Sequence, residues 1–487
     1  MLRKSVSRNY IYNLIYQILV LILPLITTPY VSRVLGATNI GIYSYTVSIS
    51  ALFILFGSLG VALYGQREIA YLQEDTKKRT IAFLEIVIFR SITLLISLVV
   101  FYFMFVRGNN DYNIYYQGLT LEIIATAFDI SWFFMGIEEF NKTVGRNIFI
   151  KLLSLILIFT LVKSESDLII YFWIYVLSIL LGNLSLWLYL PKYLEKVKIR
   201  ELNIFRHIKP TLALFIPQIA IQVYTILDRT MIGTIIVDKS EVGYYDQAQK
   251  IIKLILAIIT SMGTVMMPRI ASTFAKGNKK TVENYMEKSF NMVFFLAFPM
   301  IMGIIATSKR FVPIFFGPGY DKIMIIMNVI SPIILLIGLS NVMGTQYLLP
   351  TKRQKQYSIS VICGSVVNVL MNLALIHKYG AVGASVGTVL AELSVTLVQM
   401  YYTRNDFKWH KILSIPGKYI LASIIMFLIC LIVPYLIKSN FVCLITQVLL
   451  GSIVYFGILI LLKDKFLIAI MERFLKPLRK KFNMVKE

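Results

Sequence analysis

Cysteine and histidine are scarce in this chain, whose 487 residues include only three of each. The cysteines all lie within apolar runs, at Cys363, Cys430 and Cys443. An odd number of cysteines in such runs indicates neither a disulfide framework nor a cysteine metal site, and predicts a role in helix packing. The histidines lie in three separate connections, at His207, His377 and His410. They therefore predict no metal cluster.

Polar stretches long enough to form a soluble domain are also missing. The chain is 57% hydrophobic and only 15% charged, whereas soluble domains are roughly 45 to 50% apolar. Apolar runs of about 20 residues recur throughout, each long enough to cross a hydrocarbon core of about 30 Å as a helix. The first run follows the basic "MLRKSVSRNY" but shows no small-residue cleavage site, so we interpret it as a retained helix.

Fourteen membrane-spanning helices are predicted from the apolar runs. The spans are 11–32, 40–64, 81–106, 114–137, 147–162, 168–190, 211–236, 244–267, 289–306, 323–349, 357–376, 381–402, 415–437 and 441–462. The predicted fold class is therefore an all-α polytopic membrane protein.

Acidic residues are half as frequent as basic ones, 25 against 49, which gives a formal net charge of +24. With the N-terminus inside, most lysines and arginines of the connections fall on the inner side. Because positive residues are retained in the cytoplasm, both termini are predicted to be cytoplasmic. This basic collar would lie against anionic lipid headgroups, so its charge does not require a nucleic-acid partner.

A polar connection, "PKYLEKVKIRELNIFRHIKP" at 191–210, separates two similar halves. Gly41-Ile42-Tyr43 follows the first span and Gly243-Tyr244-Tyr245 follows the seventh, and an arginine comes equally far after each glycine, at Arg67 and Arg269. Such matches indicate duplication into parallel repeats. The predicted domains are 1–190, an N-terminal six-helix bundle; 191–210, a cytoplasmic connection; 211–402, a C-terminal six-helix bundle; 403–462, two additional transmembrane helices; and 463–487, a basic cytoplasmic tail.

The seventh predicted span contains a polar stripe around "TILDRTMIG" at 225–233. Its members recur at intervals of three and four residues and so share one helix face; they are Gln218, Gln222, Thr225, Arg229 and Gly233. A charge at mid-bilayer costs about 2.5 to 3.5 kcal/mol on insertion scales, so Arg229 and the adjacent Asp228 must face protein or water. We therefore predict that this stripe faces an internal lumen.

Other ionisable residues within the spans are functional candidates by default. The candidates for binding an anionic substrate are Arg33, Arg90, Lys151, Arg229, Lys250 and Lys253. The candidates for ion coupling are Glu122, Asp129, Asp228 and Glu392. Prolines inside predicted spans favour kinks that serve either as gates or for packing alone; they are Pro24, Pro29 and Pro217.

A purely structural role is the alternative for each polar residue, since such residues often join membrane helices. Asp228 would then neutralise Arg229 or a lysine of the next span. Asn368 and Asn372 fit either role. In "GAVGASVGTVLAE" at 380–392, small residues at four-residue steps predict a packing face; these are Gly383, Gly387 and Ala391.

Three segments resemble the polysaccharide transporter (Wzx-type) branch of the multidrug/oligosaccharidyl-lipid/polysaccharide exporter superfamily. They are "YNLIYQILVLILPLITTPYVSRVLGATNIGIYSYTVSIS", "ILDRTMIGTIIVDKSEVGYYDQAQKI" and "GTQYLLPTKRQKQYSISVICGSVVNVLMNLALIHKYGAVGASVGTVLAE". The resemblance covers essentially the whole chain. It implies two six-helix bundles in a V-like arrangement and two extra C-terminal helices. It also implies a cation-rich lumen with a role for the candidates Arg33, Arg229, Lys250 and Lys253.

The resemblance further implies a flippase that moves an undecaprenyl-diphosphate-linked oligosaccharide from the inner to the outer leaflet of the bacterial cytoplasmic membrane. The repeat unit could be of the capsule, exopolysaccharide, O-antigen or teichoic-acid type. The physics agrees, because a diphosphate and sugars cannot cross hydrocarbon whereas a polyprenyl tail can. Alternating access through a cationic lumen with a lateral opening would suffice. No bond is made or broken, so no enzyme activity and no cofactor are expected.

The expected partners are the polyprenyl-diphosphate-linked oligosaccharide and membrane lipids, with a polysaccharide polymerase and glycosyltransferases as further candidates. Coupling to a proton or sodium gradient is left open. The first alternative function is a cation-coupled multidrug antiporter of the same superfamily, which would have a more acidic lumen. The second is a membrane polysaccharide polymerase or glycosyltransferase, which would show a large extramembrane loop or clustered carboxylates.

The predicted topology can be tested with single cysteines at Lys196 and Asp238 in a background that lacks the native cysteines. We expect an impermeant thiol reagent to label only the second site in intact cells, because the first lies in the basic inner connection. Both sites should react after the cells are opened, which controls for accessibility. Equal labelling in intact cells would overturn the fourteen-span topology.

Overall fold

A computed structural model describes the backbone of residues 6–108, 111–469 and 471–472 of this chain. Within these ranges, the described side chains exclude residues 6–18, 21, 199, 216–218, 220, 221 and 224. Most of the predicted tail, 463–487, lies outside the described residues, as do the side chains of Pro217 and Gln218. The described residues contain helices and no β-strand. A lipid environment favours this outcome because a helix satisfies its backbone polar groups internally.

Seventeen α-helices are found in the described residues. They are α1 Val6–Ser58, α2 Val61–Tyr71, α3 Thr76–Phe101, α4 Asn113–Ala127, α5 Ser131–Gly136, α6 Phe140–Leu161, α7 Leu168–Trp187, α8 Ile208–Ile235, α9 Ser240–Ala275, α10 Lys279–Phe315, α11 Asp321–Ile330, α12 Ile333–Ser340, α13 Gln354–Tyr379, α14 Ala381–Tyr402, α15 Trp409–Ser414, α16 Pro416–Leu436 and α17 Asn440–Leu461. Short π-helices extend two of these segments, at Tyr102–Val106 and Asn341–Leu348.

Twelve stretches of the described chain are helices that are long and apolar enough to cross a membrane. One of them, Ile22–Tyr71, has 50 residues and contains a non-helical Gly36 with φ 74°, so it includes the second predicted span and the second half of the first. The seventh predicted span lies on α8. Each of the fourteen predicted spans falls on one or more helices, and the predicted class, an all-α polytopic membrane protein, is confirmed.

The chain divides into two compact units. Unit 1 contains 1–247 and 376–381, and unit 2 contains 248–375 and 382–487. The connection 191–210, α8 and the start of α9 therefore pack within unit 1. The boundaries of the predicted six-helix bundles stay a prediction.

A buried carboxylate of α3 fixes the end of the 191–210 connection within unit 1. Glu85 is 1% exposed and accepts hydrogen bonds from the Asn203 backbone N–H at 2.5 Å and from Arg206 Nε at 2.8 Å. Its Oε2 also lies 2.8 Å from His207 Nε2, while the Tyr64 hydroxyl lies 2.7 Å from His207 Nδ1. Burial lowers the pKa of His207 despite the adjacent carboxylate. A neutral imidazole can therefore donate a hydrogen bond from Nε2 to Glu85 and accept one at Nδ1 from the Tyr64 hydroxyl.

The two glycines of the predicted repeat meet where α1 crosses the start of α9. A Cβ atom on Gly41 would overlap the carbonyl oxygen of Lys239, and one on Gly243 would overlap the carbonyl oxygen of Ala37. The two contacts are reciprocal, as a duplicated helix pair would produce. Glycine is required here because the two backbones approach too closely to leave room for a side chain.

In unit 2, buried amides and hydroxyls join α10, α16 and α17. Gln447 Nε2 donates to the carbonyl oxygens of Cys430 and Ala306, at 2.9 and 3.2 Å, and the Tyr455 hydroxyl donates to the Phe295 carbonyl at 2.7 Å. Cys430 and Cys443 are buried, and both cysteines are free thiols. These contacts fit the packing role predicted for the cysteines.

Replacing Gly41 or Gly243 by alanine should separate the crossing helices. We expect each variant to lose about 1 to 3 kcal/mol of stability, because an added methyl group overpacks a closed contact. The measurement is the thermal unfolding midpoint of purified protein in detergent. Gly457→Ala is the matched control, since a Cβ there would meet nothing within 4 Å. If Gly41→Ala and Gly243→Ala unfolded at the same temperature as Gly457→Ala, the contact between α1 and α9 would not be tightly packed.

Candidate functional site

A cavity of about 440 Å³ lies in unit 1 between α1, α6 and α7. Pro24 and Thr27 line it from α1, and Lys151 and Ser154 line it from α6. Pro24 lies inside the α1 helix, where a proline removes one backbone hydrogen bond. The cavity therefore combines apolar side chains with several polar and charged groups, a composition that suits a binding site.

Lys151 is the charged residue of this cavity whose ammonium group has no partner in the described chain. Its side chain is partly buried on α6, and no described residue forms a hydrogen bond or ion pair with its ammonium group. Removing an ammonium group from water costs free energy unless water or a counter-ion accepts hydrogen bonds from its three N–H groups. The Lys151 ammonium is therefore available to an anion that enters the cavity.

Arg146 is the second cation of the lining, and neutral oxygen atoms orient it. It lies on α6 and donates from Nη2 to Asn147 Oδ1 at 2.6 Å and from Nη1 to the Gly182 carbonyl at 3.0 Å. Nη1 also reaches Asn183 Oδ1 at 3.3 Å, and Asn183 in turn donates to the Ala125 carbonyl at 2.8 Å. These acceptors fix the plane of the guanidinium without removing its positive charge.

Three tyrosines form the aromatic wall of the cavity. The ring of Tyr43 lies 5.0 Å from that of Tyr171 and 5.5 Å from that of Tyr175, both edge to face. The Tyr175 hydroxyl donates to Glu122 Oε1 at 2.5 Å, and the Ser50 hydroxyl donates to Oε2 of the same carboxylate at 2.7 Å. Glu122 is 5% exposed and does not itself line the cavity. The wall thus places Tyr175 between the cavity and a buried carboxylate.

The described lining contains two cations and no carboxylate. Amide and hydroxyl groups of Asn147, Asn183 and Ser154 supply neutral hydrogen-bonding partners. An anionic group with adjacent hydroxyls fits this set, because the cations balance the charge and the neutral groups bond the hydroxyls. A cationic ligand would find no opposite charge in the described lining.

Two of the predicted candidates, Lys151 and Pro24, line this cavity, and Glu122 lies behind its wall. Arg90 is 4% exposed and donates to the Asp129 carbonyl at 2.6 Å, with the Asp129 carboxylate 3.7 Å away. Asp129 Oδ1 also accepts from the Ser131 N–H at 3.0 Å at the start of α5. This pair therefore joins α3 to the break between α4 and α5.

The charged pair of the seventh span has its partners on α9. Arg229 Nη1 lies 3.0 Å from Asp246 Oδ1, and Ser44 donates to Asp246 Oδ2 at 3.1 Å. Asp228 is 2% exposed and accepts the Tyr245 hydroxyl at 2.5 Å. The structure therefore gives both residues helix-joining contacts, and the roles predicted for them in binding and coupling stay predictions.

The remaining candidates lie on other helices. Arg33 and Pro29 are on α1, Lys250 and Lys253 are on the part of α9 that belongs to unit 2, and Glu392 is buried on α14. Asn368 and Asn372 are fully buried on α13, and Asn372 Nδ2 donates to Asn368 Oδ1 at 3.2 Å. A Cβ atom on Gly387 would overlap the side chain of Asn372. That contact fits a packing role for Gly387.

Sequence reasoning missed Arg146 and the tyrosine wall. The predicted fifth span begins at 147, whereas α6 begins at Phe140, so Arg146 was assigned to the inner connection. Tyr171, Tyr175 and Ser178 recur at intervals of four and three residues on α7 and line the cavity. This spacing could have indicated a shared helix face, but aromatic residues in an apolar run usually serve packing.

Comparisons with known proteins bear on the whole chain. A family model described as "Polysaccharide biosynthesis protein" matches residues 6–274, and one described as "Lipid II flippase MurJ" matches residues 151–456. A "Putative O-antigen transporter" of Escherichia coli (strain K12) is 26% identical over 407 residues, which cover 82% of this chain and 97% of that protein.

Solved structures show the same fold. The "Lipid II flippase MurJ, inward closed conformation" matches with a TM-score of 0.70 and 19% identity, over 93% of this chain and 99% of that one. An inward-facing multidrug resistance MATE family transporter of the MOP superfamily matches with a TM-score of 0.58 and 13% identity, over 81% and 98%. At these identities the likeness concerns the fold alone.

The ion pair between Arg229 and Asp246 predicts a pattern in paired variants. Arg229→Gln and Asp246→Asn should each lower the amount of folded protein, by roughly 1 to 3 kcal/mol of stability, because each breaks the ion pair while one of its charges stays inside the protein. The double variant should recover folded protein, measured by size-exclusion chromatography of solubilised membranes. Additive losses in the double variant would contradict the pairing. Full transport by a well-folded double variant would contradict the predicted role of Arg229 in substrate binding.

Proposed function

This chain belongs to the family of polysaccharide biosynthesis proteins, whose model matches more than half of its residues, and from that premise we propose that it is a flippase for lipid-linked oligosaccharides. The cargo is a polyprenyl-diphosphate-linked oligosaccharide, and the membrane is the bacterial inner membrane. The names of the relatives, an O-antigen transporter and a lipid II flippase, support a transport function rather than catalysis.

The observation that carries this proposal is the Lys151 ammonium, which faces a cavity without a partner from the described chain. A diphosphate is the anionic part of the cargo, and its oxygens can accept hydrogen bonds from the Lys151 ammonium, while the positive charge of Arg146 lies in the same lining. The apolar and aromatic walls lower the local polarity beside the ammonium and so strengthen this attraction. The cavity thereby replaces the hydration that the head group loses on leaving water.

The direction of transport is proposed to be from the inner to the outer leaflet by alternating access. The predicted basic collar places the inner ends of the helices in the cytoplasm, where lipid-linked sugars carrying a diphosphate would meet them. The polyprenyl tail stays in the hydrocarbon throughout, so only the head needs a polar path. Assembly with a polymerase or glycosyltransferases and coupling to an ion gradient remain parts of the proposal.

A multidrug antiporter is less well supported. Antiporters of cationic drugs need negative charge at the ligand, and the described lining of the cavity has none. The likeness to MATE transporters is one of fold.

Lys151→Gln tests the proposal, because it removes the charge while keeping a polar side chain of similar length. We expect flipping to fall by about 10-fold to 100-fold, since hydrogen bonds to charged groups contribute about 1.5 to 3 kcal/mol. The measurement is the loss of a fluorescent polyprenyl-diphosphate oligosaccharide from the protected leaflet of proteoliposomes. Lys151→Arg should retain part of the rate.

Lys163→Gln is the matched control, since Lys163 is an exposed lysine just beyond the outer end of the same helix. Its flipping rate should equal that of the unmodified protein. If Lys151→Gln flips as fast as Lys163→Gln, the cavity is not the site of transport. Unchanged flipping together with lost efflux of a cationic dye would favour the antiporter.

A further inference from the structure

A groove follows the two helices α6 and α7 over most of their length. Its inner part has a volume of about 520 Å³ and contains Lys142, Arg146, Ser185 and Tyr189. A second part of about 370 Å³ continues toward Leu161. The two parts share Ile150, Leu153 and Leu181 as lining residues, so they adjoin along the same pair of helices.

The inner end of this α6–α7 groove is polar and positively charged. The Lys142 ammonium lies 4.6 Å from the centroid of the Tyr189 ring, and no described residue forms an ion pair with it. Arg146 and the Ser185 hydroxyl lie in the same lining, which contains no carboxylate among the described residues. The nearby Glu139 does not line the groove and accepts a hydrogen bond from the Tyr193 hydroxyl at 2.9 Å. The inner end is therefore suited to a phosphate group.

The remainder of the α6–α7 groove is almost wholly apolar. Trp173, Leu177 and Leu161 are 37%, 41% and 49% exposed, and Ser178 adds a single hydroxyl to this lining. Apolar side chains left uncovered along a groove favour a hydrocarbon chain as occupant. The groove thus combines a site for phosphate with a path for a lipid chain.

The length of the groove indicates which lipid chain fits. From Lys142 to Leu161, α6 rises by about 28 Å at roughly 1.5 Å per residue. One leaflet contributes only about 15 Å of a hydrocarbon core roughly 30 Å thick. An acyl chain of a phospholipid would therefore fill about half of the groove, whereas a polyprenyl chain is long enough to follow all of it.

We propose that the α6–α7 groove is a loading site for the lipid substrate, with the phosphate groups at Lys142 and the polyprenyl chain along Leu153 and Leu177. This inference rests on the proposed flippase function. Arg146 lines both the groove and the cavity that contains Lys151. A diphosphate moving from Lys142 to Lys151 passes this guanidinium and keeps a cation beside it at each step.

Binding of undecaprenyl diphosphate to purified protein in phosphatidylcholine nanodiscs tests the site, with native mass spectrometry as the readout. Lys142→Gln should weaken this binding about fivefold, the loss expected for one partly exposed charge contact. Lys192→Gln is the matched control, because Lys192 is an exposed lysine in the connection after α7 and does not line the groove. Its affinity should be unchanged. Leu177→Trp should also weaken binding, by filling the apolar part, while leaving the charge intact.

Phosphatidylglycerol, added in the same nanodiscs, identifies the source of the phosphate. If Lys142→Gln weakens only phosphatidylglycerol binding, an ordinary anionic phospholipid occupies the groove and the loading site is refuted. Equal affinities of Lys142→Gln and Lys192→Gln for both lipids would refute it as well. These outcomes are independent of the flipping rate of Lys151→Gln, so a failed flippase assay and a failed loading site can be told apart.

Discussion

An ionised side chain inside hydrocarbon must find a partner or water, and this constraint explains the ion pairs between the described helices. Arg90 meets Asp129, and Arg229 meets Asp246. The first pair joins α3 to the break between α4 and α5, and the second joins α8 to α9, so the cost of burying charge is offset by contacts that also fix the packing. Lys151 departs from this pattern, because its ammonium faces a cavity instead of a carboxylate. A departure of this kind favours ligand binding over a structural role.

The sequence was sufficient for those features that depend on local patterns. Hydropathy predicted helix at all fourteen spans, and the glycine repeat at 41 and 243 corresponds to a real backbone crossing. Lys151 could be selected because a lysine in an apolar run stands out. Arg146 could not, because the start of a membrane helix is set by capping and depth rather than by hydropathy, and seven residues of α6 precede the predicted span.

Contacts between distant segments were beyond the reach of sequence patterns. Asp246 was visible on a polar helix face, yet only packing shows that it, and not Asp228, lies 3.0 Å from Arg229. Glu85 and His207 are separated by a long stretch of chain and meet in a buried network with Tyr64. Spacing along the chain determines which residues share a helix face, whereas tertiary packing determines which faces meet.

The size of the cavity limits what it can recognise. A volume of about 440 Å³ is within the range that encloses a drug-sized group, roughly 300 to 1,000 Å³. It can hold a diphosphate and the sugar next to it, but not a repeat unit of several sugars. Lys151 and Arg146 would therefore contact the part of the cargo that lipid-linked oligosaccharides have in common. Discrimination among repeat units must then come from residues outside this cavity, because specificity requires contact with the part that differs.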